Sequence, residues 1–417
     1  MIDHVSLGVT DMARSRKFYD AVLAPLGMKL FFEFDGGAGY GAKQDEVNFW
    51  IGPPLDEGRK VRASGGSHVA FAAANRKAVD EFYRDLEDRG DLDWDRWMNA
   101  REVVRAKVAR LIGAEPDEIA FTPNTSTGIN LIADLIGEDG PVLSDELEFP
   151  TVTLPWIHRG IAVHFMPAVE GVLRLESFAA GQAPRAATIA ISHVQFSNGC
   201  RQDLDAFGAL KGARRLVVSA SQSIGAFPVD VRKSGIDALA ASGHKWLCAG
   251  YGAGFLYVSR EILTKRPPRT IGWLSGEDPY AFDPQHCRIL PTNARTEMGC
   301  PSFGAIFALG AAVDYVMRLG LDAIAERVLA LNMYLTFRLE KEGFPVLSPA
   351  GEHRSGQTLV AVDEPKRARD FLQQRRIVVT EKPEGIRIAT HFYNNERDVD
   401  ACVDALVAFR ASSLTKI

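Results

Sequence analysis

The hydrophobic pattern changes character near residue 90. Before it, IDHVSLGV alternates apolar and polar residues as a half-buried strand does, and DMARSRKFYDAVLAPLG has helical spacing with a glycine stop. MKLFFEF, GYGAK and EVNFWIG then read as three further short strands. After the loop PPLDEGRKVRASGG, the strand SHVAFAA leads into the helix RKAVDEFYRDLEDRG. The order β-α-β-β-β is thus followed by a second β-α that begins in the same way, a partial internal repeat. From about residue 92, DWDRWMNAREVVRAKVARLIG carries Val104, Val108, Leu111 and Ile112 on one helical face and ends at Gly113. Short apolar runs (EIAF, PVLS, AVHFM, TIAISHV, RRLVVSA, GFLYV) then alternate with helical stretches, which predicts a mostly parallel sheet covered by helices. Beyond residue 300, two long amphipathic helices, the runs FPVLSP, QTLVAVD, IVVTE and GIRIAT, and a last helix from Glu396 predict a second, smaller α/β lobe.

Composition sharpens this only at the margins. A chain of 417 residues exceeds one ordinary core, and 46% hydrophobic with 24% charged residues is a soluble globular balance. The net charge of -5 gives no electrostatic reason to expect nucleic acid or an anionic membrane as partner. No apolar run is long enough to span a bilayer, and the first residues lack a signal-peptide layout. Cys200, Cys248, Cys287, Cys300 and Cys402 are scattered without a CxxC pair, which speaks against a disulfide framework or structural zinc and suits a cytoplasmic location.

The residues that carry chemistry lie in four segments. ASGHKW, residues 241–246, puts Lys245 at the end of a strand behind Ser242 and His244, an amine beside two hydrogen-bonding groups. FTPNTSTGINLIADLI, residues 121–136, is a strand end, a polar turn and a helix, so backbone N–H groups and the hydroxyls of Thr125 and Ser126 would face a phosphate. RRLVVSASQSIGAFPVDV, residues 214–231, is an apolar strand whose polar end, with Ser219 and Gln222, enters the crevice where open α/β sheets bind ligands. GIRIATHFYNNERDVD, residues 385–400, places Arg387 on a short strand, suited to grip a carboxylate with two parallel hydrogen bonds.

In this collinear order the four segments resemble the class V aminotransferase family, isopenicillin N epimerase-like and cysteine-desulfurase-like, over about residues 90–412. The resemblance implies a pyridoxal-phosphate (PLP) enzyme of fold type I that acts at the α-carbon of an amino acid and works as a homodimer. By position, Lys245 would be the Schiff-base lysine and proton shuttle, with Thr125, Ser126, Ser242 and His244 on the phosphate. Gln222 would reach the phenolic oxygen, Phe149 would stack on the ring, His193 and Gln195 would lie near the ring edge, and Arg387 would take the substrate carboxylate. Four positions depart from the family pattern. Ser219 replaces the aspartate that faces the pyridine nitrogen, and Cys300 stands where a threonine often reaches the partner subunit's phosphate. No cysteine lies in the loop before Arg387, where many cysteine desulfurases carry a sulfur acceptor, so a persulfide route is not expected. The usual N-terminal segment is replaced. PLP folds with serine at the Ser219 position tend toward β-elimination, so lyase chemistry is expected ahead of transamination.

The replacing segment, residues 1–88, resembles the vicinal-oxygen-chelate (glyoxalase and bleomycin-resistance-like) family, truncated after the second helix. Its members bind metal through both modules. Here only His4 and His68 fall at ligand positions, so no metal is expected. The expected organisation is a vicinal-oxygen-chelate-like fragment (1–88), a PLP-binding large domain (89–300) and a small C-terminal domain (301–417). Two rival readings remain: a catalytically weak PLP-fold protein with a binding or regulatory role, and a metal-dependent vicinal-oxygen-chelate enzyme.

Overall fold

The computed structural model describes residues 5–8, 12–23, 28–34, 37–41, 43–44, 47–52, 94–179 and 185–414. The chain divides into two compact units, Met1–Glu81 and Phe82–Ile417.

In the first unit, β1 (Val5–Gly8), α1 (Met12–Leu23), β2 (Lys29–Phe34), β3 (Gly37–Gly41) and β4 (Val47–Gly52) follow the expected βαβββ order. The sheet runs β1-β4-β3-β2, with β1 parallel to β4. Leu23, Ala38, Tyr40, Phe49 and Ile51 form its core. The second strand and helix expected before residue 88, and both His4 and His68, lie outside the described residues.

The second unit opens with α2 (Trp94–Leu111), then β5 (Ile119–Thr122), α3 (Thr125–Ile136), β6 (Val142–Asp145), α4 (Pro150–His158) and β7 (Val163–Met166). A short hairpin, β8 (Ala168–Val169) and β9 (Val172–Leu173), precedes β10 (Thr188–Ser192), α5 (Leu204–Leu210), β11 (Arg215–Ser219), β12 (Ala238–Ser242), β13 (Gly254–Val258) and α6 (Arg260–Lys265). The sheet order is β5-β13-β12-β11-β10-β6-β7. All neighbours from β12 to β7 are parallel, while β13 runs antiparallel to both β12 and β5.

Both faces of this sheet are buried, which is why its strands read as unbroken apolar runs. Ile189, Ile191, Leu216, Val218, Leu239 and Phe255 point to one core with α2 and with α7 (Phe303–Leu319). The intervening Ala190, Val217, Ala240 and Leu256 point to the other core, with α3 and α4. Small residues on that second face let α3 sit close: a Cβ on Gly128 would come 2.7 Å from the Cβ of Ala240.

After α7 come α8 (Leu321–Lys341), β14 (Gln357–Ala361), α9 (Pro365–Gln373), β15 (Thr380–Lys382), β16 (Gly385–Ala389) and α10 (Glu396–Leu414). The three strands form the antiparallel sheet β14-β16-β15. It packs with α8, α9 and α10 around Leu335, Val360, Leu372, Ile386 and Leu406. Among the described residues no single helix is long and apolar enough to cross a membrane.

Candidate active site

Four adjacent parallel strands end in a small polar residue at the same edge of the sheet: Asp145 on β6, Ser192 on β10, Ser219 on β11 and Ser242 on β12. Side chains that follow apolar strand cores in this way open onto the crevice beyond the carboxyl ends, where ligands of open α/β sheets lie.

Ser242 is tied to the start of α3. The Thr125 backbone N–H donates to Ser242 Oγ at 2.9 Å, and the two hydroxyls are 2.7 Å apart. Ser221, in the loop after β11, brings its hydroxyl onto Thr125 as well. Three buried hydroxyls thus cluster at the N-terminus of a 12-residue helix, where free N–H groups and the helix dipole favour an anion. The Ser126 hydroxyl, at the same helix start, pairs with Thr151 on α4 at 2.7 Å.

The chain leaves Ser242 in a turn that carries His244 and Lys245. Gly225, at φ +92°, lets the loop after β11 press on this turn, since a Cβ there would come 2.8 Å from the Trp246 backbone. Trp246 is buried and stacks on His391, ring centres 4.7 Å apart. His244 stacks on Tyr251 at 4.7 Å. Burial, with a smaller effect from Arg387, lowers the Lys245 amine to about 8. Among the described residues no carboxylate pairs with it.

Arg387, on β16, donates from Nη1 to the Phe196 carbonyl at 2.5 Å and from Nη2 to Thr380 Oγ1 at 3.3 Å. Its Nε is buried without a partner, and burial lowers the guanidinium to about 10. The guanidinium lies 4.5 Å from the Phe196 ring centre, and Phe149 meets the same ring edge-on at 4.9 Å. Gln222 accepts a hydrogen bond from Gln357 Nε2 at 3.0 Å. The His193 backbone N–H donates to the Ser219 carbonyl at 3.0 Å. The His193 ring is buried with Nδ1 unpartnered, and burial followed by Arg201 lowers its pKa to about 3, so it is neutral.

The structure also brings in groups that local patterns do not reveal. Asp145 and Glu148 form a buried acid pair bridged by Gln195, whose Nε2 donates to Asp145 at 3.0 Å and to Glu148 at 2.9 Å. Ser192 donates to Glu148 through its backbone N–H and, at 2.7 Å, through its hydroxyl. Burial and the neighbouring Glu148 carboxylate raise Asp145 to about 9, so the pair holds a proton at neutral pH. Gln195 therefore orders an acid pair, with its Oε1 left free. Among the cysteines, Cys402 is buried in α10 and Cys300 is exposed. Cys248, three residues past Lys245, has its Sγ 3.7 Å from both the Lys245 carbonyl and His391 Nε2, and burial raises its thiol. A cavity of about 640 Å³ lined by His193, Arg201, Asp203 and Lys233 lies nearby but includes neither Lys245 nor Ser242.

The family description "Aminotransferase class-V" matches residues 76–402. The chain belongs to the class-V aminotransferase family. Membership makes it an enzyme with pyridoxal phosphate as cofactor. Residues 1–110 match the "Glyoxalase/Bleomycin resistance protein/Dioxygenase superfamily". This class-V chain is 27% identical to an uncharacterized aminotransferase, YcbU, of Bacillus subtilis (strain 168), over 82% of its own length and 92% of that protein's. It is 30% identical to a probable cysteine desulfurase of Pyrococcus abyssi (strain GE5 / Orsay), over 66% of its own length and 71% of that protein's. The apo structure of a cysteine desulfurase from Thermococcus onnurineus NA1 superposes with a TM-score of 0.72 at 25% identity, covering 80% of this chain and 90% of that one.

The residues present fit the cofactor of this class-V family. The hydroxyl cluster at the start of α3 offers donors to a phosphate, and Lys245 offers an amine without a countercharge. Buried unpartnered atoms on His193, Gln195, Gln357 and Arg387 await polar partners.

Proposed function

We propose that this protein acts at the α-carbon of an amino acid and that elimination, or other lyase chemistry, is favoured over transamination. Ser219 is the observation that carries this reading: it closes β11, in register with Ser192 of β10 and Ala240 of β12. When bound, pyridoxal phosphate draws electrons from the substrate's α-carbon, most strongly when its pyridine nitrogen is protonated.

In this reading Lys245 bonds the cofactor and carries a proton to and from Cα, and its lowered pKa keeps part of the amine neutral near physiological pH. Thr125 and Ser242, with Ser221, hold the phosphate against the N-terminus of α3. Ser126 and His244 belong to the same end of the site as outer contacts, given their present partners Thr151 and Tyr251. Gln222 would hold the cofactor at its phenolic oxygen, Phe149 would stack on its ring, and Arg387 would take the substrate carboxylate.

Ser219 offers the pyridine nitrogen a neutral hydroxyl. A carboxylate there would favour the protonated nitrogen by pairing with its charge; a hydroxyl only shares a hydrogen bond. With a weaker sink, reactions in which a leaving group on the β-carbon takes the electron pair away have the advantage. A persulfide route lacks a cysteine in the loop before Arg387: Cys402 lies in the small-lobe core, where burial raises its thiol, and the Cys248 thiol is raised as well.

We place the large domain at 89–300 and the small domain at 301–417, with a two-fold partner completing the site beside Met298, Gly299 and Cys300. An exposed aromatic surface supports the partner: Phe282, 74% exposed, stacks on Trp273 at 6.1 Å, and Tyr280 meets Trp273 at 6.2 Å. The chemistry is tested by comparing wild type with Ser219→Asp on an amino-acid panel that includes β-substituted substrates. The substitution should raise transamination or racemisation relative to elimination. Brisk transamination by wild type, unchanged in the variant, would remove Ser219 from the account.

A further inference from the structure

The small lobe presents a second cation to the same site. In the antiparallel pair β15–β16, Thr380 stands opposite Arg387 and Lys382 opposite Gly385. Residues directly opposed, and residues two apart on one strand, share a face of a sheet, so Thr380, Lys382 and Arg387 project together. The Arg387–Thr380 hydrogen bond is consistent with that face. Gly385 puts no side chain beside the Lys382 stem. Lys382 Nζ lies 3.1 Å from the centre of the Phe196 ring, the ring that also carries the Arg387 guanidinium at 4.5 Å.

Two like charges on one ring are an unfavourable arrangement unless an anion joins them. Among the described residues neither cation has an ion-pair partner. Glu381, the nearest carboxylate along β15, is engaged with Arg369 at 2.6 Å. Glu384 acts on Lys382 only as the weakest of three influences; burial comes first and Arg387 second, and together they bring the amine down to about 8. The site thus holds Lys245, Lys382 and Arg387 without counterions of its own. Lys245 is assigned to the cofactor and Arg387 to the substrate's α-carboxylate, which leaves Lys382 unassigned, with Phe149 and Phe196 as apolar wall beside it.

We propose that Lys382 binds a second anionic group on the substrate side chain, so that the preferred substrates are acidic α-amino acids. The inference rests on the reading above, in which Arg387 holds the α-carboxylate. Glutamate and aspartate differ from glutamine and asparagine only in the group that Lys382 would meet, and a charged acceptor gains a charge-assisted hydrogen bond that the amide does not.

The test uses the full-length protein loaded with PLP, titrated with L-glutamate, L-glutamine, L-aspartate and L-asparagine. Binding is read from the change in cofactor absorption and from titration calorimetry. Wild type should bind each acid at least about tenfold more tightly than its amide, and Lys382→Met should bring each pair to within about twofold. Lys382→Arg should retain most of the preference, and an unchanged cofactor spectrum and melting temperature would show that the variants remain folded. Equal binding of acids and amides by wild type, or a Lys382→Met variant that weakens both alike, overturns the assignment of Lys382 while leaving Arg387 in place. If none of the four binds to loaded wild type while a β-substituted amino acid does, the acidic-substrate assignment of Lys382 is overturned and the amino-acid reading stands; if that one does not bind either, both fall.

Discussion

A lysine that bonds an aldehyde must spend part of its time neutral, and Lys245 reaches that condition through burial. An ordinary lysine is neutral only near pH 10 and above; with its pKa at about 8, half of Lys245 is neutral two units lower. Capture of PLP by the apo protein should therefore rise with pH around a midpoint near 8. Arg387→Leu removes a neighbouring positive charge, so it should move the midpoint upward. Stopped-flow absorbance across pH 6.5–10.5 measures both, and a wild-type midpoint near 10 would show that the amine is not desolvated. At this scale the local signatures were legible. Lys245, Ser242, Thr125 and Arg387 sit in short segments whose polar residues follow an apolar strand or open a helix. Phe196, Lys382 and Ser221 carried no such signature, because each acquires its role from a group far along the chain. Phe196 meets Lys382 and Arg387 only when the small lobe folds back.

Among the elements, the edge formed by β6, β10, β11 and β12 has a cost of its own. Asp145 and Glu148 are buried together, and the Asp145 pKa lies above its unfolded value. The folded form is therefore relatively favoured below about pH 4 and loses that advantage as the pH climbs toward 9. Asp145→Asn removes the charge and keeps an acceptor for the Leu147 N–H. It should raise the melting temperature by about 3–6 °C at pH 8 and by less at pH 5, as scanning calorimetry would record. A fall at both values would mean that the carboxylate is needed for its hydrogen bonds. Strand existence was readable from the apolar runs, because both sheet faces are covered. Strand direction was not: GFLYV carries no mark of being antiparallel, and β13 runs against its neighbours. The run IVVTE suggested a strand from residue 377, whereas β15 covers Thr380–Lys382, the stretch that pairs with β16. The acid pair has no local sequence signature, because Asp145, Glu148 and Gln195 belong to two segments joined only by the sheet.

For the whole molecule, the family resemblance was legible because its four segments keep their order across some 260 residues, from Thr125 to Arg387. The βαβββ start is legible from the alternation and helical spacing of its own short segments. Under the proposed shared site, light scattering at micromolar concentration should give twice the 45.7 kDa chain mass, with the exposed aromatic surface around Trp273 and Phe282 as the expected contact. A monomer with full activity would contradict a shared site. The bond proposed between Lys245 and the cofactor can be trapped. Borohydride reduction of the PLP-loaded protein, followed by intact mass and peptide mapping, should find one reduced pyridoxyl phosphate per chain, on the peptide that contains Lys245. A label on another lysine, or none after PLP is supplied, would contradict it.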